Sequence, residues 1–411
     1  MFIGNPYNLL VSGKKLIGWG SGGVFEYFHS LFPLPLACLV DNSSKAQKTI
    51  KMGLKIYSPE VLQKEDPQQV FLIVYSSFSV EIMRHISRLG SFNSINASVL
   101  FCFDYKFQWQ RINRVLEQPF SIRRQNVTDS ALLIQGQILP ELTAKIVSYY
   151  AHCYPDIQII FSTWQGVAKV LIDEVEPFVD HLLLNNVPEF PGVQNRNMQI
   201  VSTRAGLEYC LQKGIKTVLK TRSDIFITAH DVFKQCKSLL KYYEPKVCQQ
   251  FGLFNRIIIP QSFTRKYLLY SPSDLAMYGT VEDLLRFWSI PLDDRQFDLL
   301  EECQTRNLKN LSLDGMPAEC FLGVNFCRTI GRSLGGDLLD SWQFYRDFFI
   351  VLDNSWLGLF WPKNPHIPDT YSVAVHRETV GNAFWHALLT DTVQQDIGSV
   401  EKVDTDSQCW C

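Results

Sequence analysis

The sequence has no excess of charge of either sign and no long apolar run. Its 411 residues include 39 Lys and Arg against 41 Asp and Glu, a formal net charge of −2. Because the charges balance, the protein has no strong positive electrostatic field that would attract polyanions, and we expect no nucleic-acid partner. No apolar run approaches the roughly twenty residues needed to cross a bilayer, and the N-terminus lacks the pattern of a secretory signal. These absences predict a soluble, cytoplasmic protein.

The cysteines lack paired spacing. Eleven of them are scattered from Cys38 to Cys411 without a CxxC pair, which argues against a disulfide framework and against a zinc cluster. Apolar residues make up 46% of the chain, and 28 Phe, 16 Tyr and 9 Trp supply ample material for a core. A chain of this length is expected to form two domains.

The first clear pattern is a GxGxxG spacing formed by Gly18, Gly20 and Gly23. A short apolar strand precedes these glycines, a helix follows them, and a second strand ends at Asp41, about where a ribose-binding acid would stand. Such glycines let a phosphate approach a helix N-terminus. We therefore predict a Rossmann-like parallel-sheet module over residues 1–108. A nucleotide or dinucleotide is its candidate ligand, and a structural or partner-docking role is the alternative.

Residues 109–130 are polar and basic, and we interpret them as a linker. From residue 131 onward, apolar strands alternate with helices, which predicts a second α/β domain with a mostly parallel sheet. Ligands of such sheets bind at the carboxyl ends of the strands. The residues that stand at predicted strand ends, and are expected to converge on one crevice, are Gln135, Gly136, Ser162, Thr163, Trp164, Arg222, Ser223 and Asp224.

Six segments of this domain, in order, resemble the WavE lipopolysaccharide-synthesis family of bacterial glycosyltransferases. They are LLIQGQIL, YPDIQIIFSTWQG, NRNMQIVSTRAGL, VLKTRSD, SPSDLAMYGTVEDLLRFW and PAECFLGVNF. The resemblance spans roughly residues 130–330. It departs from the expected family pattern at Met198, where an arginine is expected but Arg196 stands two positions earlier, and at Gln137, where proline is common.

The resemblance implies a GT-A-like nucleotide-diphospho-sugar transferase domain over residues 131–345, with residues 346–411 as a C-terminal extension packed on it. The implied reaction moves a sugar from a nucleotide-diphospho-sugar to a glycan or glycolipid acceptor of the bacterial surface, such as lipopolysaccharide core, O-antigen or capsule. It also implies peripheral contact with the cytoplasmic face of the inner membrane. The N-terminal module resembles the small Rossmann-like modules that are fused to bacterial sugar-modifying enzymes.

GT-A enzymes commonly hold Mn²⁺ or Mg²⁺ with a short acidic motif, and Asp224 in TRSD takes that place here. One carboxylate, diphosphate oxygens and waters are an acceptable Mg²⁺ environment. The resemblance also makes His376 a candidate metal ligand, while Lys220 or Arg222 could neutralise phosphate by fixed positive charge. The alternative for the tetrapeptide is an ordinary turn, because Ser and Asp favour strand ends.

The remaining candidates bind the donor or take part in catalysis. Polar residues near a predicted helix start are candidates for the donor nucleotide, with capping or surface charge as the alternative: Asn197, Gln199, Ser202 and Arg204. Trp164 could stack on a base or sugar, although core packing also explains it. Glu319, in the first turn of a helix, is the candidate general base, and Asp274 is the candidate acceptor-binding residue and second choice as base.

Two other functions are compatible with these patterns. One is a non-catalytic nucleotide-binding scaffold in glycan assembly, which the single carboxylate of TRSD keeps open. The other is an NAD-dependent oxidoreductase that uses the N-terminal glycines. The oxidoreductase hypothesis predicts a Tyr-x-x-x-Lys pair or similar apparatus, and no such pair follows Ser76 and Ser77.

Overall fold

The computed structural model describes residues 13–31, 34–76, 79–97, 105–119, 129–363 and 379–390. It divides the chain into two compact units. The first consists of residues up to Arg114 together with Thr228–Asp231, and the second of Val115–Ile227 and the chain from Val232 onward. Each unit is built on its own sheet, so the predicted α/β class is confirmed.

The first unit has a six-stranded sheet in the order β3-β4-β2-β1-β5-β6. All its described pairings are parallel except that between β3 and β4. Its strands are β1 Lys15–Trp19, β2 Cys38–Val40, β3 Ile50–Lys51, β4 Leu54–Tyr57, β5 Val70–Val74 and β6 Asn93–Asn96. Its helices are α1 Gly23–Leu31, α2 Ser79–Leu89 and α3 Tyr105–Leu116, the last of which runs into the second unit.

Strand β5 shows why this sheet is covered on both faces. Phe71 and Ile73 belong to one hydrophobic core, whereas Val70, Leu72 and Val74 belong to another. Successive side chains of a strand point to opposite faces, so a continuous apolar run is required where both faces are buried. The run VFLIV of β5 meets this requirement.

The segment after Ser58 forms a 3₁₀ helix, Pro59–Lys64. One sequence prediction in this part of the chain needs correction. Helix α3 occupies the beginning of the predicted linker, because Ile112 is buried and Leu116 follows it at helical spacing. Its many polar residues concealed this periodicity. Residues 120–128 of the predicted linker lie outside the described residues.

The second unit has a seven-stranded sheet in the order β14-β12-β13-β10-β7-β8-β9 and a separate two-stranded ladder of β11 and β15. Its strands are β7 Ser130–Gln135, β8 Gln158–Trp164, β9 His181–Asn185, β10 Thr217–Arg222, β11 Phe226–Ile227, β12 Ile257–Pro260, β13 Ala276–Thr280, β14 Phe349–Leu352 and β15 Leu359–Phe360.

The helices of the second unit include several that carry candidate site residues. In chain order they are α4 Leu142–Cys153, α5 Lys169–Val175, α6 Arg196–Gln212, α7 Val232–Tyr242, α8 Val281–Trp288, α9 Leu299–Thr305, α10 Leu308–Leu313, α11 Ala318–Thr329, α12 Leu338–Phe348, α13 Asn354–Leu357 and α14 Asn382–Leu389.

This large sheet is mixed. Strands β9, β8, β7 and β10 are parallel, β13 runs antiparallel beside β10, and β12 runs antiparallel to β13. Strand β14 pairs in parallel with β12, with Ile258 opposite Ile350. The sheet thus extends beyond residue 345, where the sequence predicted a separate extension to begin. A mixed sheet of this kind is consistent with a GT-A-like arrangement.

The cysteines follow the sequence expectation with one exception. Seven described cysteines form no disulfide, and most of these are buried, whereas Cys303 is disulfide-bonded. Burial raises the pKa of Cys210, Cys320 and Cys327 to about 12 in each case. These thiols are therefore protonated at neutral pH and act as small apolar groups.

Helix α11 packs closely against the chain at residues 270–272, and Gly323 permits this approach. A Cβ atom at Gly323 would collide with the backbone carbonyl of Tyr270 and would lie 2.9 Å from Cδ of Pro272. A backbone obstacle cannot move aside as a flexible side chain can. The glycine therefore fixes the position of the helix that carries Glu319.

We expect Gly323→Ala to lower the free energy of unfolding by about 2 kcal/mol, because overpacking a close contact in a core costs this order of magnitude. The matched control is Gly279→Ala in β13, where the added Cβ would lie 3.4 Å from Leu284, an ordinary contact. Denaturant unfolding followed by tryptophan fluorescence measures both variants. Equal stability of the two variants would contradict the close approach described for α11.

Candidate functional site

The carboxyl ends of β7, β8 and β10 meet at one edge of the large sheet. The parallel registers place Arg222 opposite Gln135 and Gln135 opposite Ser162. A crevice of about 550 Å³, which we call the strand-end crevice, opens at this edge. Its volume is within the range of small-molecule sites. Ligands of open α/β sheets bind at such strand ends, so this crevice is the candidate functional site.

Seven of the predicted site residues line the strand-end crevice. They are Gln135, Gly136, Trp164, Gln199, Arg222, Ser223 and Asp224. The sequence analysis did not identify several other lining residues. Gln194 and Asn195 precede helix α6, and Lys363 is the last residue of the described range 129–363. The side-chain Oε1 of Gln199 is buried without a hydrogen-bond partner in the described structure.

The turn after β7 requires glycine at position 136. Gly136 has φ +126°, and a Cβ atom there would lie 2.8 Å from Oγ of Ser223. The Oγ of Ser223 donates a hydrogen bond to the carbonyl of Gln137 at 2.7 Å, and its backbone N–H donates to the carbonyl of Gln135 at 2.9 Å. These contacts hold the ends of β7 and β10 together at the floor of the crevice.

Arg222 and Asp224 form a bidentate ion pair. The Nε of Arg222 donates to Oδ1 of Asp224 at 3.0 Å and its Nη2 donates to Oδ2 at 3.1 Å. The guanidinium carbon also lies 4.9 Å from the ring centroid of Trp361. Burial alone would lower the pKa of Arg222, but the Asp224 carboxylate outweighs burial and raises it. The two side chains therefore neutralise each other in a fixed geometry.

The divalent cation that the resemblance implies would need oxygen ligands from side chains at this edge of the sheet. No group of three or more His, Cys, Asp or Glu side chains able to hold a metal occurs among the described residues. Both carboxylate oxygens of Asp224 already accept hydrogen bonds from Arg222, and His376 lies outside the described residues. The described donor set does not fit a metal held by the protein alone, so Mn²⁺ or Mg²⁺ stays a prediction.

Several predicted donor-binding residues lie outside the lining of the crevice. Ser162, Thr163 and Ser202 are buried. The Oγ of Ser202 donates to Oε1 of Gln135 at 2.9 Å, and the Oγ of Ser162 donates to the carbonyl of Ser202 at 2.7 Å. Ser202 therefore orients Gln135, which does line the crevice. Arg204 is half-buried on the same helix and is not part of the lining.

Lys220 also lies away from the crevice. It is fully buried, its Nζ donates a hydrogen bond to the carbonyl of Asp274, and it lies 4.7 Å from the ring centroid of Trp288. Burial lowers the pKa of Lys220 to about 8, against the opposing effect of the Asp274 charge. Lys220 therefore bonds to the backbone at Asp274, whereas the sequence analysis made it a candidate for neutralising phosphate.

Asp274, just before β13, acts electrostatically on Glu319 in the first turn of α11, and neither residue lines the strand-end crevice. Asp274 is 3% exposed, and its Oδ2 has no hydrogen-bond partner among the described residues. Burial, followed by the charge of Asp274, raises the pKa of Glu319 to about 7. A carboxyl group with its pKa near neutrality is suited to proton transfer at physiological pH. The sequence predicted both residues, although not their electrostatic coupling.

The start of helix α6 is fixed by a buried ion pair that the sequence analysis did not identify. Arg196 is completely buried, and its Nη1 lies 3.0 Å from Oδ2 of Asp293. Its guanidinium also donates to the carbonyls of Gly315 and Met316, just before α11. Burial lowers the pKa of Arg196 to about 10, which leaves it charged at neutral pH. Arg196 is therefore a structural anchor.

Asn197 has a similar structural role. Its Nδ2 donates to the carbonyl of Asp293 at 2.7 Å, and its Oδ1 accepts the backbone N–H of Asp293 at 2.8 Å. The side chain is committed to these bonds, and it does not line the crevice. Its polarity is explained by the need to satisfy buried backbone groups.

The first unit has a separate cavity of about 460 Å³ at its glycine loop. Gly20, Gly23 and Asp41 line this cavity, whereas Gly18 lies inside β1, where a Cβ would come within 2.6 Å of Leu39. The carboxylate of Asp41 accepts the backbone N–H of Ser21 at 2.7 Å and also the N–H of Ser43. In this arrangement Asp41 closes the loop, and a bound nucleotide stays a prediction.

The second unit is thus an α/β fold with a crevice at the carboxyl ends of its parallel strands. Residues 132–331 match the family model described as WavE lipopolysaccharide synthesis. This confirms the resemblance seen in the sequence over the segment that contains nearly all of the predicted site. No curated protein and no solved structure matches the chain. None of the described helices is long and apolar enough to cross a membrane.

We expect Arg196→Met to lower the free energy of unfolding by about 3 kcal/mol, because it leaves the Asp293 carboxylate buried with one partner fewer. Arg204→Met, on the same helix, is the matched control and is expected to change stability by no more than about 0.5 kcal/mol. Urea unfolding of both variants provides the measurement. If Arg196→Met were as stable as the control, the anchoring role of the ion pair would be wrong.

Proposed function

We propose that the protein is a glycosyltransferase that moves a sugar from a nucleotide-diphospho-sugar to a glycan or glycolipid acceptor in lipopolysaccharide synthesis. The observation that carries this proposal is the strand-end crevice, which lies mainly within the segment that matches the family model. Its volume suits a ligand of this class. A cytoplasmic location, with peripheral contact with the inner membrane, belongs to the same proposal.

The crevice offers different groups to different parts of such a donor. Gln135, oriented by Ser202, and Gln199 line the crevice with side-chain amides that could bond to a ribose or base. Trp164 adds an apolar surface. Arg222 stands at the strand end, where a guanidinium in a fixed position would meet the diphosphate. Preorganised donors of this kind stabilise the charge that develops on a leaving group.

Glu319 is the proposed general base. In a direct displacement, the acceptor hydroxyl oxygen forms a bond with the anomeric carbon of the sugar as the bond from that carbon to the diphosphate breaks. The hydroxyl proton passes to the Glu319 carboxylate, and the electron pair of the broken bond leaves with the diphosphate. Asp274 is proposed to bind the acceptor. Its charge also raises the pKa of Glu319 and so sets the basicity of that carboxylate.

We expect the wild-type protein to be stabilised in thermal-shift or calorimetric titrations by one nucleotide class among UDP-, GDP- and dTDP-sugars, and not by CMP-sugars, which lack a diphosphate. Gln199→Ala is expected to weaken that binding about tenfold, since it removes one hydrogen bond to the donor. Gln212→Ala, at the exposed far end of the same helix, is the control and is expected to bind normally.

Each titration is run with and without Mn²⁺, so that the predicted metal requirement is measured at the same time. Binding of no nucleotide-sugar under either condition would refute the transferase proposal and favour the scaffold alternative. Stabilisation by NAD alone would move the functional site to the glycine loop of the first unit.

We expect turnover to rise with pH through about pH 7, because Glu319 must lose its proton to act as a base and its pKa is about 7. Glu319→Gln is expected to lower the rate by about 10²- to 10⁴-fold, the usual contribution of a general base, while donor binding is retained. The measurement is release of nucleoside diphosphate against pH from the donor found in the titrations. A rate independent of pH between 5 and 9, or full activity of Glu319→Gln, would show that another residue is the base.

A further inference from the structure

We propose that Lys363, at the end of residues 359–363, supplies the positive charge that binds the donor diphosphate, so that the protein holds the donor without a metal. This inference rests on the proposed function. It adds to that function a binding residue that lies beyond the segment matched by the family model, which ends at residue 331.

The first step of the argument is the position of residues 359–363. Gly358, with φ +57°, ends helix α13 and directs the chain into β15. There Phe360 pairs with Phe226 and Leu359 pairs with Ile227 in an antiparallel ladder. Since β11 begins two residues after Asp224, this ladder places the residues after Phe360 beside the end of β10.

The second step is the contact of Trp361 with the ion pair. Trp361 is 6% exposed, and its ring lies 4.9 Å from the guanidinium carbon of Arg222, a cation–π geometry. Trp361 also meets Phe263 in an edge contact with ring centroids 6.1 Å apart. These contacts fix the chain immediately before Lys363. Lys363 itself is exposed and lines the strand-end crevice together with Arg222, Ser223 and Asp224.

The third step is the charge of the crevice. Among its described lining residues, three side chains are ionisable: Arg222, Asp224 and Lys363. Arg222 and Asp224 form a bidentate ion pair, so their charges cancel. The net charge of +1 in the lining therefore comes from Lys363. A diphosphate requires compensating charge, and Lys363 is the group in the described lining that offers it without first breaking an ion pair.

The fourth step is the donor chemistry. A divalent cation would need at least one carboxylate oxygen, yet Asp224 is the one carboxylate in the described lining and Arg222 engages both of its oxygens. A flexible ammonium with three donors can take the place of a cation at a phosphate. The crevice thus contains the guanidinium of Arg222, held by its ion pair, and the exposed ammonium of Lys363.

We expect wild-type protein in EDTA to bind one of UDP, GDP, CDP and dTDP in calorimetric titrations, and Lys363→Met to weaken that binding about tenfold, the scale of one charged hydrogen bond. Affinity for the matching nucleoside, which lacks phosphate, is expected to be unchanged in the variant. Lys363→Arg is expected to restore diphosphate binding. Lys234→Met, at an exposed lysine of α7, is the control and is expected to bind as the wild type does.

The outcomes separate the two proposals. If wild-type protein binds a nucleoside diphosphate only after Mn²⁺ is added, or if Lys363→Met binds as tightly as the wild type, the role of Lys363 is refuted and the transferase proposal stands. An equal loss of nucleoside and diphosphate binding would also refute it, because it would indicate a change of shape and not of charge. If no nucleoside diphosphate binds under any condition, both proposals fail together.

Discussion

The bidentate ion pair between Arg222 and Asp224 is the interaction on which the candidate site depends. A carboxylate that is 3% exposed is tolerated only when it is paired and hydrogen-bonded, and Arg222 satisfies both of its oxygens. The planar guanidinium is thereby fixed, so that Trp361 can pack on it. Ser223, held between the two charged residues, bonds to the turn after β7. One ion pair thus links β10, the β7 turn and residues 359–363, which together form much of the crevice.

Charge is distributed unequally around this pair. Arg222 interacts electrostatically with Asp274 and Glu319 as well as with Asp224, and Arg265 also acts on Glu319. Burial, followed by the charge of Asp274, outweighs the effect of both guanidinium groups on Glu319, which explains why its pKa is raised to about 7. The structural ion pair and the proposed base are therefore parts of one electrostatic arrangement.

The sequence was sufficient to predict the strands and the edge at which they meet, because buried parallel strands are continuous apolar runs followed by polar residues. It was not sufficient to predict which polar side chain reaches the crevice. Lys220 and Arg222 share one face of β10, but Lys220 lies two residues deeper, roughly 7 Å from the strand end, and Trp288 covers it there. Ser162 and Ser202 are polar because they complete an internal network. These distinctions depend on tertiary neighbours, and so does the partnership of Arg196 with Asp293.

The same reasoning explains why Lys363 could not be found from sequence. Its neighbours show no motif, and it reaches the crevice because Gly358 turns the chain and the β11 and β15 ladder returns it to the end of β10. A family model that ends at residue 331 covers most of the crevice lining and leaves out this part. A nearly neutral crevice formed by the matched segment gains its net charge from a later segment. The shape of the crevice and its net charge therefore depend on different parts of the chain.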